Sequence, residues 1–197
     1  MKSRNLILII IVIALVFVGG CGCSKYNGLV TGDQQVKQSW SNVETNYQRR
    51  TDLYNSVIKT IQGSANFEKS TLKEVIDARS RATSVNVNLD NPQSLQQYQQ
   101  AQASLQGAFG RLMAVAEAYP DLKTTQAFRD FQTQIEGTEN RINVARRDYN
   151  ASVNNYNLMV RTFPNNLYAG IFGFHEKAYY QAEPGSEKAP DINFDIK

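Results

Sequence analysis

Three pairs of charged side chains are the residues of this chain that could do chemistry: Arg49 and Arg50, Glu136 and Glu139, and Arg146 and Arg147. Alternating steps of four and three from Val36 reach Trp40, Val43, Tyr47, Arg50, Tyr54, Val57 and Ile61. Arg50 is the only charge on that apolar and aromatic stripe. A guanidinium inside a hydrophobic seam is costly unless a carboxylate and further acceptors satisfy it. Two chemistries follow. In one, Arg50 pairs with an acid from a facing helix, Glu139 ahead of Glu117 and Asp52, and fixes the register of a bundle. In the other, Arg50, Arg146 and Glu139 line a small-ligand site inside the bundle, as a receptor or enzyme would need. The structural reading is preferred, because a charge in a bundle seam more often sets register than binds a ligand, and no other chemical group converges there. Glu136 and Glu139 share a helix face at i, i+3, but such pairs are commonly solvated.

Other chemistries lack their residues. His175 is the single histidine, too few for the Glu-x-x-His pairs of di-iron bundles and a poor start for a catalytic triad. It reads as a surface or capping side chain. The only cysteines are Cys21 and Cys23, so the rest of the chain holds neither a disulfide nor a thiolate metal site. No Gly-rich phosphate loop or nucleophile elbow is present. No catalytic, cofactor-binding or metal-ligating residue is therefore assigned. The formal charge is +3, but without Lys2 and Arg4 there remain 19 basic against 18 acidic residues. That balance gives no basis for nucleic-acid binding, which needs a clustered basic face.

The elements that must position these charges are long helices. The 197 residues suffice for one domain with a sizeable core. The stripe above predicts a first helix over 33–63, capped by Asp33 and ended by Gly63. A second is predicted over 66–88, with Asn66 as its cap and Leu72, Val75, Ile76, Ala78, Ala82 and Val85 on its apolar side. Asn91 suits an N-cap and Pro92 the first helical position of a third helix, 92–119. That helix carries Tyr98, Leu105, Phe109, Leu112, Ala116 and Tyr119, with Gln102 as the polar interruption; the glutamines of QSLQQYQQAQ read as a solvated face. The fourth, 124–163, keeps the rhythm from Phe131 through Ile135, Thr138, Ile142, Ala145, Tyr149, Ser152, Tyr156 and Met159 to Phe163. At about 60 Å it should bend, break or project past its partners. Tyr47, Tyr54, Tyr98, Tyr119, Tyr149 and Tyr156 all fall on inner faces, where core packing is preferred to an aromatic ligand lining and each hydroxyl needs a partner or the bundle edge. The aromatic stretch LYAGIFGFHEKAYY is expected to pack back onto the helices, with a membrane or partner surface as the alternative.

The N-terminus, MKSRNLILIIIVIALVFVGGCGCSK, is a short basic start followed by an apolar run over Leu6–Val18. Such a run is a secretory signal core or a short spanning helix. Val18-Gly19-Gly20-Cys21 also resembles a bacterial lipobox, in which Cys21 would carry lipid. Both alternatives attach the rest of the chain to a membrane, with Lys2 and Arg4 favouring a cytoplasmic N-terminus and an extracytoplasmic bundle.

YNGLV at 26–30, RRTDL at 49–53, EAYPDLK at 117–123, EGTENRI at 136–142, ARRDYN at 145–150, FP at 163–164 and GIFGF at 170–174 resemble, in order, the motifs of the LemA family of bacterial membrane proteins. The resemblance implies an N-terminal membrane anchor followed by an up-and-down four-helix bundle with long antiparallel helices. It implies no catalytic residues, since the family has no established biochemical function. Family members usually continue the RRxDL motif with Ile-Pro-Asn-Leu-Val. Here Tyr54-Asn55-Ser56-Val57 stand there, so the first helix should run straight where relatives kink.

These readings divide the chain into an anchor or lipoprotein signal over 1–24, a bundle over 25–175 and a loop-rich or disordered tail over 176–197. The function expected is that of a non-enzymatic scaffold or interaction module of the bacterial cell envelope. Its partners would be the membrane and other envelope proteins, and its oligomeric state stays open.

Overall fold

The computed structural model describes the backbone of residues 2–62, 68–119 and 125–181, and the side chains of those ranges from Gly22 onward, residue 127 excepted. α1 (Lys2–Gln62) is one helix of 61 residues. It does not begin at Asp33, as the capping signal suggested. The four-three stripe extends backward through Asp33 to Leu29, and both are buried, so no change of environment calls for a helix start there. The helix also passes unbroken through Tyr54–Val57, as the absence of a proline there predicts.

α2 (Lys69–Ser84) is shorter than predicted. Its expected cap, Asn66, lies outside the described residues, and Glu68 holds the cap position without a side-chain cap bond. Residues 85–88 leave the helix because Val85, Val87 and Leu89 alternate with polar residues and turn to the core at a period of two, which suits extended, β-branched chain. α3 (Pro92–Ala116) starts as the sequence indicates. Asn91 Oδ1 accepts from the Gln93 N–H at 2.9 Å and Pro92 opens the helix. α4 (Gln126–Arg161) has 36 residues, about 54 Å. Thr125 Oγ1 caps it, accepting from the Phe128 N–H. A short α5 (Asn165–Phe172), not resolved by the periodicity reading, ends at Gly173, whose φ of 73° is left-handed and free for glycine alone. No strand occurs among the described residues.

α1 and α4 are antiparallel: Gly32 meets Met159, Trp40 meets Tyr149 and Arg50 meets Glu139. α3 runs parallel to α1, since Tyr47 meets Tyr98, Arg50 meets Gln102 and Tyr54 meets Phe109. α2 and α3 pack against each other across the 85–91 turn. All four contribute to one core cluster, which contains Tyr54, Val57 and Ile61 from α1, Val75 and Ala78 from α2, Leu105 and Leu112 from α3, and Phe128 and Phe131 from α4. The described residues thus form an all-α helical bundle.

α1 and α4 project beyond α2 and α3. Their far halves form a second cluster with the start of α3, containing Leu29, Val36, Trp40, Val43, Leu95, Ile142, Tyr149 and Tyr156. Here α5 and residues 174–181 take over the covering role. Every stripe residue from Val36 to Ile61 is buried. Two predicted inner residues are not: Ile76 and Phe163 are exposed, the latter because α4 stops at Arg161 and the chain turns away.

Candidate functional site

Arg50 sits where the two core clusters meet, fully withdrawn from solvent. Its Nη1 lies 3.2 Å from Glu139 Oε1 on α4. Its Nη2 donates to the Gln102 side-chain oxygen at 2.8 Å and to the Gln102 carbonyl at 3.3 Å. The guanidinium also stands 4.6 Å from the centre of the Tyr47 ring and 5.8 Å from that of Tyr54. Gln102 is thus the second acceptor of the buried cation. Nε is buried with no hydrogen-bond partner. Asp52, a candidate partner in sequence, is exposed and accepts from Gln48 instead. Arg49, Glu136 and Arg147 lie on exposed faces.

Arg146 is drawn to the same aromatic layer from the other direction. Its Nε donates to the Tyr47 hydroxyl at 3.0 Å, Nη2 donates to the same oxygen, and its guanidinium lies 4.6 Å from the Tyr180 ring centre. The Tyr47 and Tyr180 hydroxyls are hydrogen-bonded at 2.6 Å. Arg50, Glu139 and Arg146 are therefore brought to one stretch of the bundle, with Tyr47 in contact with both arginines. Burial pushes the Tyr54 hydroxyl up to about 12, although Arg50 beside it pulls the other way. Burial likewise raises Tyr98, Tyr149 and Tyr180 well above the ordinary tyrosine range. All stay neutral, so they serve as donors and as ring faces rather than as bases.

A second charged cluster escaped the sequence reading. Lys177, buried in the segment after α5, places Nζ 2.8 Å from Asp33 on α1 and 2.6 Å from Asp90 in the α2–α3 turn. Asp33 also pairs with Lys37 at 2.7 Å. Burial pushes the Asp33 carboxyl up, but the hydrogen bonds and charges of Lys177 and Lys37 outweigh it and hold it below the usual range. Burial likewise pushes Lys177 down, and the two aspartates more than reverse that, leaving it raised. The available signal was Asp33 itself, a carboxylate on the four-three stripe that needed a cation.

His175 is exposed. Among the described residues no group of three His, Cys, Asp or Glu side chains could hold a metal ion. Cys21 lies outside the described side chains, as do those of Leu6–Val18. Among the residues whose side chains are described, from Gly22 onward, no helix is long and apolar enough to cross a membrane.

Fold and seam together define an all-α bundle protein that carries paired charges inside its packing seam. The chain belongs to the LemA family, which it matches over residues 39–194. It is similar to the magnetosome proteins MamQ 1 and MamQ 2 of Paramagnetospirillum magneticum, each 28% identical over 182 residues that cover 83% of this chain and 67% of the relative. It is also similar to Protein LemA of Metamycoplasma hominis, 26% identical over 176 residues that cover 89% of this chain and 75% of the relative.

Proposed function

We propose that this chain is a membrane-anchored, non-enzymatic module that holds or assembles other proteins of a bacterial cell envelope. One observation carries the reading: the apolar run Leu6–Val18 and the bundle stripe lie on the same unbroken helix, α1. A membrane segment continuous with a bundle helix fixes the bundle at a set distance from the bilayer, a geometry suited to scaffolding. The attachment is a spanning helix or, with the apolar run cleaved away, a lipid on Cys21 at the start of the same helix, and Lys2 and Arg4 favour a bundle outside the cytoplasm. That relatives are named magnetosome proteins fits a part in an assembled structure. The internal acceptors on Arg50 favour a structural use of the charged seam, since a ligand would have to displace Glu139 and Gln102.

Crosslinking in the native membrane, followed by mass spectrometry, tests this. Recovery of the full chain joined to particular envelope proteins is expected. Recovery of an uncrosslinked chain with a stoichiometric small molecule would replace scaffolding with a receptor or enzyme reading. The same spectra distinguish the two anchors, because an intact Met1 end excludes a lipidated Cys21.

A further inference from the structure

The segment from Phe163 to Phe174 contains no charged residue, and much of its apolar surface is uncovered. Phe163 is 80% exposed, Leu167 57%, Ile171 74% and Phe172 54%. Single exposed apolar side chains are ordinary on a protein surface, but these fall together. Leu167 and Ile171 lie one turn apart on one side of α5, and Phe163 stands just before its start, while Ala169 on the opposite side of α5 is buried against the bundle. Leu158, one turn before the end of α4, is also exposed.

The placement of this patch says what covers it. A Cβ at Gly22 of α1 would stand 3.2 Å from the Tyr168 ring, and Phe172 packs edge-on against Tyr26 at 4.9 Å. The four-residue steps match, so α5 runs parallel to α1 and its start points toward the N-terminal end of α1. Only four residues of helix, about 6 Å, separate Gly22 from Val18, the last residue of the apolar run. The interfacial layer on each side of a bilayer is about 5–8 Å thick. Tyr168, level with Gly22, and Tyr26, one turn further along α1, lie close to this exit point, where amphipathic rings are common at membrane surfaces.

We propose that the α4–α5 corner and α5 dip into the lipid surface next to the anchor, with Phe163 and Leu167 deepest and Ile171 and Phe172 nearer the headgroups. This rests on the anchoring proposed above and adds a second contact to it. The contact restrains the bundle against tilting about the exit point of α1, because two points hold an orientation that one helix does not.

The test uses the full chain, reconstituted into phosphatidylcholine–phosphatidylglycerol vesicles with or without brominated acyl chains. Tryptophan is introduced singly as Leu167→Trp, Ile171→Trp or Val144→Trp. All three positions are exposed, and the native Trp40 is buried and supplies a constant background. In vesicles that float with the protein, the added emission of Leu167→Trp should be blue-shifted and mostly lost to bromine. Ile171→Trp, about 6 Å further from the bilayer centre, should be quenched less. Val144→Trp, on α4 far from the corner, should emit as in water and be unaffected. A water-like, unquenched Leu167→Trp on floating vesicles overturns the proposal and leaves anchoring intact. A blue shift without bromine quenching means a protein surface, such as a second copy, covers the patch, and overturns it equally. A chain that fails to float removes the anchoring reading and this proposal with it.

Discussion

Arg50 and Glu139 are unequal partners: the guanidinium has no solvent access, while the Glu139 side chain is 31% exposed. Removing the carboxylate leaves a buried cation with only Gln102 and ring faces, whereas removing the cation leaves a carboxylate that water can reach. Glu139→Ala should therefore destabilise the bundle by about 3 kcal/mol, and the double variant Arg50→Met/Glu139→Ala should recover most of that loss in urea unfolding. An additive double variant would show that the pair is not coupled. At Lys177 the expectation concerns pH. The Asp33 carboxyl is lowered, so its contribution is complete above the ordinary aspartate value of about 4 and is lost as pH falls through the lower folded value. Lys177 is raised, so its contribution is complete below about 10.4 and is lost as pH rises through the higher folded value. The stability difference between the natural chain and Lys177→Met should be flat from about pH 5 to about pH 9 and shrink outside that window, as read from thermal unfolding. A difference that changes steadily across neutral pH would point to another titrating group.

Helix α4 carries Gly137 in its interior, and a methyl added there meets nothing within 4 Å. Glycine costs a helix interior about 1 kcal/mol relative to alanine, so Gly137→Ala should raise stability by about that amount, measured as a shift in the urea midpoint. Gly32 of α1 is the contrast. A methyl there presses on Met159 Cε and stands 3.1 Å from the Tyr156 ring, so the helical gain should be cancelled. The two glycines look alike in sequence; only the approach of α4 to α1 separates them. The same limit governs what was legible beforehand. The stripes of α1, α3 and α4 were readable because each keeps one period for several heptads, and the buried Arg50 and Gln102 announced themselves as breaks in it. The Asn91–Pro92 start of α3 was readable because a cap is a local device. α5 was not, since eight residues hold barely two turns of periodicity. Asp33 was misread as a cap because its nature depends on Lys177, 144 positions later in the chain. Pairings between helices and the returning segment have no repeat that a single sequence displays.

That returning segment decides how the long half of the molecule is closed. α1 and α4 extend past α2 and α3, and two helices alone cannot cover the aromatic seam of Trp40, Tyr47 and Tyr149 between them. Residues 174–181 run back along this gap. Asn157 and Asn150 on α4 each grip one backbone position as a strand neighbour would. The Lys177 N–H donates to Asn157 Oδ1 at 2.8 Å and its carbonyl accepts from Nδ2 at 2.9 Å. The Tyr180 N–H donates to Asn150 Oδ1 at 2.8 Å and its carbonyl accepts from Nδ2 at 2.9 Å. The spacing explains the fit: seven helical residues rise about 10.5 Å, and three extended residues span about 10 Å. Tyr149 adds a bond to the Ala178 carbonyl at 2.8 Å, and the Ala178 N–H donates to the Leu89 carbonyl at 3.3 Å, tying the segment to the α2–α3 turn. Asn150→Ala/Asn157→Ala removes four of these bonds. At about 0.5–1 kcal/mol net each, and because water can satisfy the freed backbone once it lifts away, the loss should be about 2–4 kcal/mol and local. Hydrogen exchange should accelerate at Lys177 and Tyr180, while amides near Leu105 and Leu112, in the other core cluster, keep their protection. Uniform acceleration through both clusters would mean that the segment holds the entire bundle together rather than closing one half of it.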